Sequence, residues 1–151
     1  MVRLFVAFLV ASVSAFAQNS EQYRACNQKA KTQAELNVCA SDEAQRTDQQ
    51  LNEVYHTLLS GAKQPEAIAS IKTAEGAWAT YRDAYIKATY PAKDKLAEYG
   101  SIYPMEANLL RAKLTQQQVA ALKDLLRVYS SDERPLSRGA DTKDGGLHPR
   151  N

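Results

Sequence analysis

The strongest constraint on the fold lies in residues 32–61, where Leu36, Cys39, Ala40, Ala44, Leu51, Val54, Tyr55, Leu58 and Leu59 recur mostly three or four positions apart. Thr32-Gln33-Ala34-Glu35 opens this run with the form of a capping box. In such a box the threonine hydroxyl accepts from an orphan amide and the glutamate carboxylate accepts from the cap residue's own amide. Gly61 offers a stop at the far end. The pattern predicts a helix of about seven turns with one buried stripe. Other helices have to cover that stripe.

Upstream, residues 20–31 are polar with Tyr23 and Cys26 on one side, which predicts a short helix stapled back through Cys26 to Cys39. Pro65 suits the first turn of a second long helix, and Pro91 marks its end. Along it Ile68, Ile71, Glu75, Trp78, Arg82, Tyr85 and Ile86 share a face, with Glu75 and Arg82 approaching the core through their aliphatic stems. Residues 91–104 mix breakers, charges and two tyrosines and predict a long loop with room for one turn of helix. Loops of that length in compact domains are often functional. Helix is expected again over 105–113. A separate segment follows Thr115-Gln116-Gln117-Gln118, which repeats the capping logic ahead of Val119, Leu122, Leu125, Leu126 and Tyr129. Nothing reads as a strand. The expected fold class is all-α, a small antiparallel bundle of three to four main helices with short accessory helices and one disulfide. Residues 131–151 hold hardly an apolar side chain and are expected to be a disordered tail.

The compartment is read from the first seventeen residues. Arg3 precedes the apolar run from residue 4 to 10, and Ala15-Phe16-Ala17 closes the segment with a small-x-small pattern, so residues 1–17 are expected to be a secretory signal peptide. The run is too short to span a bilayer, which takes about 20 residues. No cysteine stands at the cleavage point to carry a lipid. A periplasmic or secreted chain starting near Gln18 is therefore expected, without a membrane span once the signal is removed. Removing Arg3 with the signal leaves eighteen Lys and Arg against seventeen Asp and Glu, a formal charge of +1. No basic footprint of the kind nucleic acid requires is concentrated anywhere.

Export places the two cysteines, Cys26 and Cys39, where disulfides form and persist, and they are expected to pair. A metal pair would want further Cys or His ligands nearby, and a redox pair would usually be C-x-x-C. The only imidazoles are His56, inside the long helix, and His148, in the tail, so no catalytic triad and no zinc site can be assembled. A glycosidase-like carboxylate pair would need two of the seventeen acids to converge, and no motif points to one. Neither an enzyme active site nor a cofactor is expected.

Three features are candidates for binding. Trp78-Ala79-Thr80-Tyr81-Arg82-Asp83 clusters two aromatics and an ion pair. An exposed cluster of that kind would anchor a partner, whereas a buried Trp78 with Arg82 locked to an acid would be structural, which is the reading adopted for Trp78, Tyr81, Arg82 and Asp83. Between Glu35 and Glu53 the acids Glu35, Asp42, Glu43, Asp48 and Glu53 face only Arg46, a net −4. That is either a solvated helix surface or a field that steers a basic partner. Thirdly, in the stretch 93–103, Tyr99 and Tyr103 flank Gly100-Ser101 and either pack or project into a partner's cleft.

Read together, Thr32-Gln33-Ala34-Glu35-Leu36-Asn37-Val38-Cys39, Asp48-Gln49-Gln50-Leu51-Asn52-Glu53-Val54-Tyr55, Trp78-Ala79-Thr80-Tyr81-Arg82-Asp83 and Gly100-Ser101-Ile102-Tyr103-Pro104-Met105 resemble, in order, the motifs of the lysozyme-inhibitor LprI-like family of bacterial envelope proteins. The resemblance spans roughly residues 26–126 and implies that residues 18–130 form one LprI-like helical domain. Many members carry a second cysteine pair where this chain has Ile86 and Leu110, so a hydrophobic contact is expected there instead. For function the resemblance implies a protein partner, with a lysozyme as the leading candidate. On that basis Tyr99, Ser101 and Tyr103 are expected to enter the lysozyme cleft, and Asp42, Glu43 and Asp48 to steer the encounter. The alternative is a non-catalytic structural or adaptor protein of the envelope, binding another envelope protein or peptidoglycan through the helix that carries Trp78.

Overall fold

A computed structural model of the chain describes residues 19–130; the expected signal peptide and the expected tail lie outside them. The described residues fold as helices α1 (Glu21–Lys29), α2 (Gln33–Gly61), α3 (Pro65–Thr89), α4 (Lys95–Tyr99) and α5 (Tyr103–Ser130), with a 3₁₀ turn over Gly100–Ile102, and hold no strand. The all-α bundle expected from the pattern is therefore what forms, with α2, α3 and α5 as its long members.

Cross-links between elements fix the directions. Cys26 is bonded to Cys39 and Ser20 to Glu43, so α1 runs back along α2. Arg82 meets Asp48 and Glu75 accepts from Gln118, so α3 returns antiparallel to both α2 and α5. Gln33 lies by Met105, Asn37 by Ser101, Glu43 by Gln116 and Gly61 by Leu126, so α5 runs parallel to α2. Neighbours in sequence are thus antiparallel. The most intimate helix pair, α2 with α5, joins segments distant in the chain.

Two boundaries differ from expectation for identifiable reasons. The break expected at Thr115 does not occur, and α5 is continuous from Tyr103. Thr115 is fully buried, and its hydroxyl lies 3.3 Å from an oxygen of Asp48 rather than capping a new helix. A Thr-Gln-Gln-Gln string contains no breaker, so tertiary packing decides. In the expected loop over 91–104, Asp94 caps α4 and Pro104 occupies the first turn of α5, where its missing amide costs nothing. Only a short linker remains non-helical.

Packing divides along the bundle axis. At one end Leu51, Leu58, Ala62, Ile71, Val119 and Leu122 form the main core, flanked by Trp78, Leu125 and Tyr129. At the other, Tyr23, Cys39 and Ala40 pack with Cys26, Met105 and Leu109. Ile86 and Leu110, the positions expected to replace a disulfide, are both half-buried.

Between the clusters lie two polar arrangements. Asp48 Oδ2 accepts from Arg111 Nε and Nη2 at 3.1 and 2.7 Å, and Oδ1 accepts from Arg82 Nη1 at 3.2 Å. Glu43, wholly buried, accepts from the Ser20 amide at 2.8 Å, the Ser20 hydroxyl at 2.5 Å, Gln116 Nε2 at 3.3 Å and the Arg46 guanidinium. Among the described residues every buried side-chain polar atom has a partner. That completeness is what makes such layers tolerable in a core.

Three outcomes follow. Asp48→Ala removes the carboxylate shared by Arg82 and Arg111, leaving the buried Arg82 only Asp83, and is expected to lower unfolding free energy by about 2–4 kcal/mol in a urea titration. Replacing Cys26 and Cys39 by serine is expected to cost about 3 kcal/mol in the same experiment. Burial raises the Glu43 pKa, but the Ser20 and Arg46 contacts outweigh it and hold the carboxyl below its ordinary value. A folded pKa below the unfolded one gives stability that is complete above the unfolded value and lost as pH falls through the folded one. Between about pH 5 and pH 2 the wild type should therefore lose stability more steeply than Glu43→Gln, read by denaturant titration at each pH.

Candidate functional site

The capped start of α2, the end of α3 and the start of α5 meet at one end of the bundle, and residues 90–103 turn the chain there. Gly100 makes the turn possible: its φ of 71° and ψ of −169° fall where side-chain-bearing residues are strained. A Cβ at this position would meet nothing within 4 Å, so only the backbone demands glycine.

Tyr90, Tyr99 and Tyr103 gather beside it. Tyr90 meets the other two edge-on, with ring centroids 5.4 and 5.2 Å apart, and Tyr99 and Tyr103 lie 6.0 Å apart. The Tyr99 hydroxyl accepts from the Ala92 amide at 3.2 Å. Burial, then the negative charge of Glu106, whose carboxylate the Tyr90 hydroxyl approaches at 3.4 Å, raises the Tyr90 pKa. Lys95 Nζ donates to the carbonyls of Tyr90 and Ala92, both at 2.9 Å, and lies 6.0 Å from the centre of the Tyr103 ring. From α2, Asn37 Nδ2 donates to the Ser101 carbonyl at 3.1 Å, and Gln33 holds Asn37 in turn at 2.9 Å.

The result is a supported corner with an exposed tip. Tyr99 and Tyr103 are half-buried in the ring cluster, whereas Ser101 and Ile102 stand in solvent, as does Leu96 on α4. Of the three residues expected to enter a cleft, Ser101 thus lies at the surface while the tyrosines support it from behind. Sequence reasoning missed Tyr90, Lys95 and Asn37 as parts of this arrangement. Asn37 carried a signal, since it sits in the Thr-Gln-x-Glu-x-Asn-x-Cys string.

The other candidates disperse. Asp42 is exposed, but Glu43 is buried and Asp48 is held by two arginines, so the fold itself compensates two of the three acids expected to steer. Arg82 is 8% exposed, lies 5.0 Å from the centre of the Trp78 ring, and pairs with Asp48 and Asp83. Trp78 packs against the main core, while Tyr81 and Tyr85 are 55% and 45% exposed. His56 is exposed on α2. Among the described residues no group of three or more His, Cys, Asp or Glu is placed to hold a metal, and no helix is long and apolar enough to cross a membrane.

Fold and corner together define a disulfide-stapled helical bundle that presents a braced surface turn. The profile of the lysozyme inhibitor LprI family matches residues 24–122, and the chain belongs to that family. An uncharacterized protein of Rhizobium meliloti (strain 1021) is similar, 28% identical over 121 residues that cover 72% of this chain and 84% of the relative. No solved structure matches. The four strings on which the resemblance rests meet in pairs here, Asn37 with Ser101 and Asp48 with Arg82.

Gly100→Ala forces a strained backbone without crowding. It is expected to cost about 1–2 kcal/mol and to speed amide exchange at Tyr103, whose N–H bonds the Gly100 carbonyl, while the Leu58 region keeps its protection.

Proposed function

We propose that this chain is an exported lysozyme inhibitor, periplasmic or secreted, which acts by protein–protein binding and not by catalysis. Membership of the lysozyme inhibitor LprI family supplies the partner class. The observation that carries the binding mode is the exposed pair Ser101 and Ile102, held by the Asn37 hydrogen bond and backed by three tyrosines, two of them meeting the third edge-on. A tip fixed before encounter loses little entropy on binding, so its contacts count almost fully toward affinity. Its insertion into the glycan cleft would deny peptidoglycan access to the catalytic groups. Asp42 and Glu53, both exposed on α2, add negative potential that speeds the approach of a basic lysozyme.

An envelope adaptor is the second reading. It draws on the exposed Tyr81 and Tyr85 of α3, whose rings lie 5.8 Å apart and are the sort of rigid aromatic surface that binds proteins.

Lysis of peptidoglycan by several lysozymes, with and without the oxidised mature chain, separates the two. Dose-dependent protection is expected, weakened about ten-fold or more by Ile102→Asp and left unchanged by Tyr81→Ala. Protection lost with Tyr81→Ala and kept with Ile102→Asp transfers the interface to α3. No protection against any lysozyme removes the inhibitor reading.

A further inference from the structure

The Ser101 carbonyl joins the tip to α2, and the rest of its rigidity depends on what joins the segments on either side. One cation meets nearly all of them. Lys95 belongs to α4, yet its ammonium bonds the carbonyl of Tyr90, the residue that ends α3, and the carbonyl of Ala92 in the linker, and it lies near the face of Tyr103 at the start of α5. A cation at a helix C-terminus satisfies carbonyls left without partners and meets the negative end of the helix dipole. Here that ordinary cap comes from the next element in the chain, so satisfying α3 also fixes where α4 sits. The Ala92 amide, bonded to the Tyr99 hydroxyl, ties the same linker to the other end of α4. Tyr99 and Tyr103 bracket Gly100-Ser101-Ile102 directly.

We propose that Lys95 is a positioning residue for partner binding, whose ammonium locks the α3 end, the linker and Tyr103 so that Ser101 and Ile102 are presented in one arrangement. The proposal rests on the lysozyme-inhibitor reading for its partner but not for its geometry. Losing the lock leaves a corner that visits several arrangements, and apparent affinity falls by the fraction of time the competent one is occupied.

The test uses the full mature, oxidised chain and its Lys95→Met and Lys95→Arg variants. Three properties are measured on each: amide exchange, thermal midpoint and inhibition of any lysozyme that the wild type inhibits. Lys95→Met is expected to speed exchange at Ala92 and Tyr103, leave exchange near Leu58 and Leu122 unchanged, and weaken inhibition about ten-fold with a Tm loss of only a few degrees. Lys95→Arg, which keeps the charge and the donors, is expected to restore most of the inhibition. Unchanged exchange at Ala92 and Tyr103 in Lys95→Met overturns the proposal whatever the lysozymes do. Faster exchange with unchanged inhibition overturns it too. Should the wild type inhibit no lysozyme, the inhibitor reading fails alone, and exchange at the corner still decides whether Lys95 fixes it.

Discussion

One carboxylate ties the three long helices together. Asp48 projects from α2 and takes a two-pronged bond from Arg111 of α5, a second guanidinium from Arg82 of α3 and the hydroxyl of Thr115. The apolar core at the far end is directionless, and packing alone would let the helices slide against one another. Charge-assisted hydrogen bonds of fixed geometry allow far fewer registers. Burying a guanidinium has a desolvation cost, and here the cost is met by the carboxylates of Asp48 and Asp83 and by the face of Trp78. With the register set at Asp48, Ser101 lies opposite Asn37 and Met105 reaches Gln33 and the Tyr23 cluster, which is what builds the corner.

The corner inherits its order from that register and from the staple beside it. The disulfide holds α1 on α2 near the capped start of α2, and the Glu43 contacts hold the other end of α1. Met105, at the first turn of α5, packs on the apolar cluster these two devices enclose. Scaffold and presented turn therefore share side chains. The side chains that hold the turn, Tyr90, Lys95, Tyr99 and Tyr103, are half-buried, and Ser101 and Ile102 between them are exposed.

Much of this could be read in the sequence, for physical reasons that differ by element. Thr32 and Glu35 form both halves of the predicted capping box because that motif is local and closes within one turn. The periodicity of α2 and the bounds set by Pro65 were equally local signals. Thr115 was misread because the same hydroxyl chemistry serves a cap or a buried acceptor, and only the approach of Asp48 selects between them. Likewise the acidic stretch of α2 looked like one surface. The helical turn of 100° per residue leaves Asp42 exposed, turns Glu43 toward Ser20 ahead of α1 and Gln116 of α5, and turns Asp48 toward α3 and α5. Lys95 was invisible as a lock, since nothing in its neighbours in sequence reveals a bond to a helix end five residues earlier that exists only once the chain has turned back on itself.

The proposed inhibitor role requires a lysozyme to touch the chain at the corner. Hydrogen exchange of the oxidised chain, alone and mixed with a lysozyme, maps any such contact directly. Added protection confined to the corner, around residues 96–103 and the facing turn of α2 at Asn37, is the predicted result. Protection over Tyr81 and Tyr85 with none at the corner would contradict it.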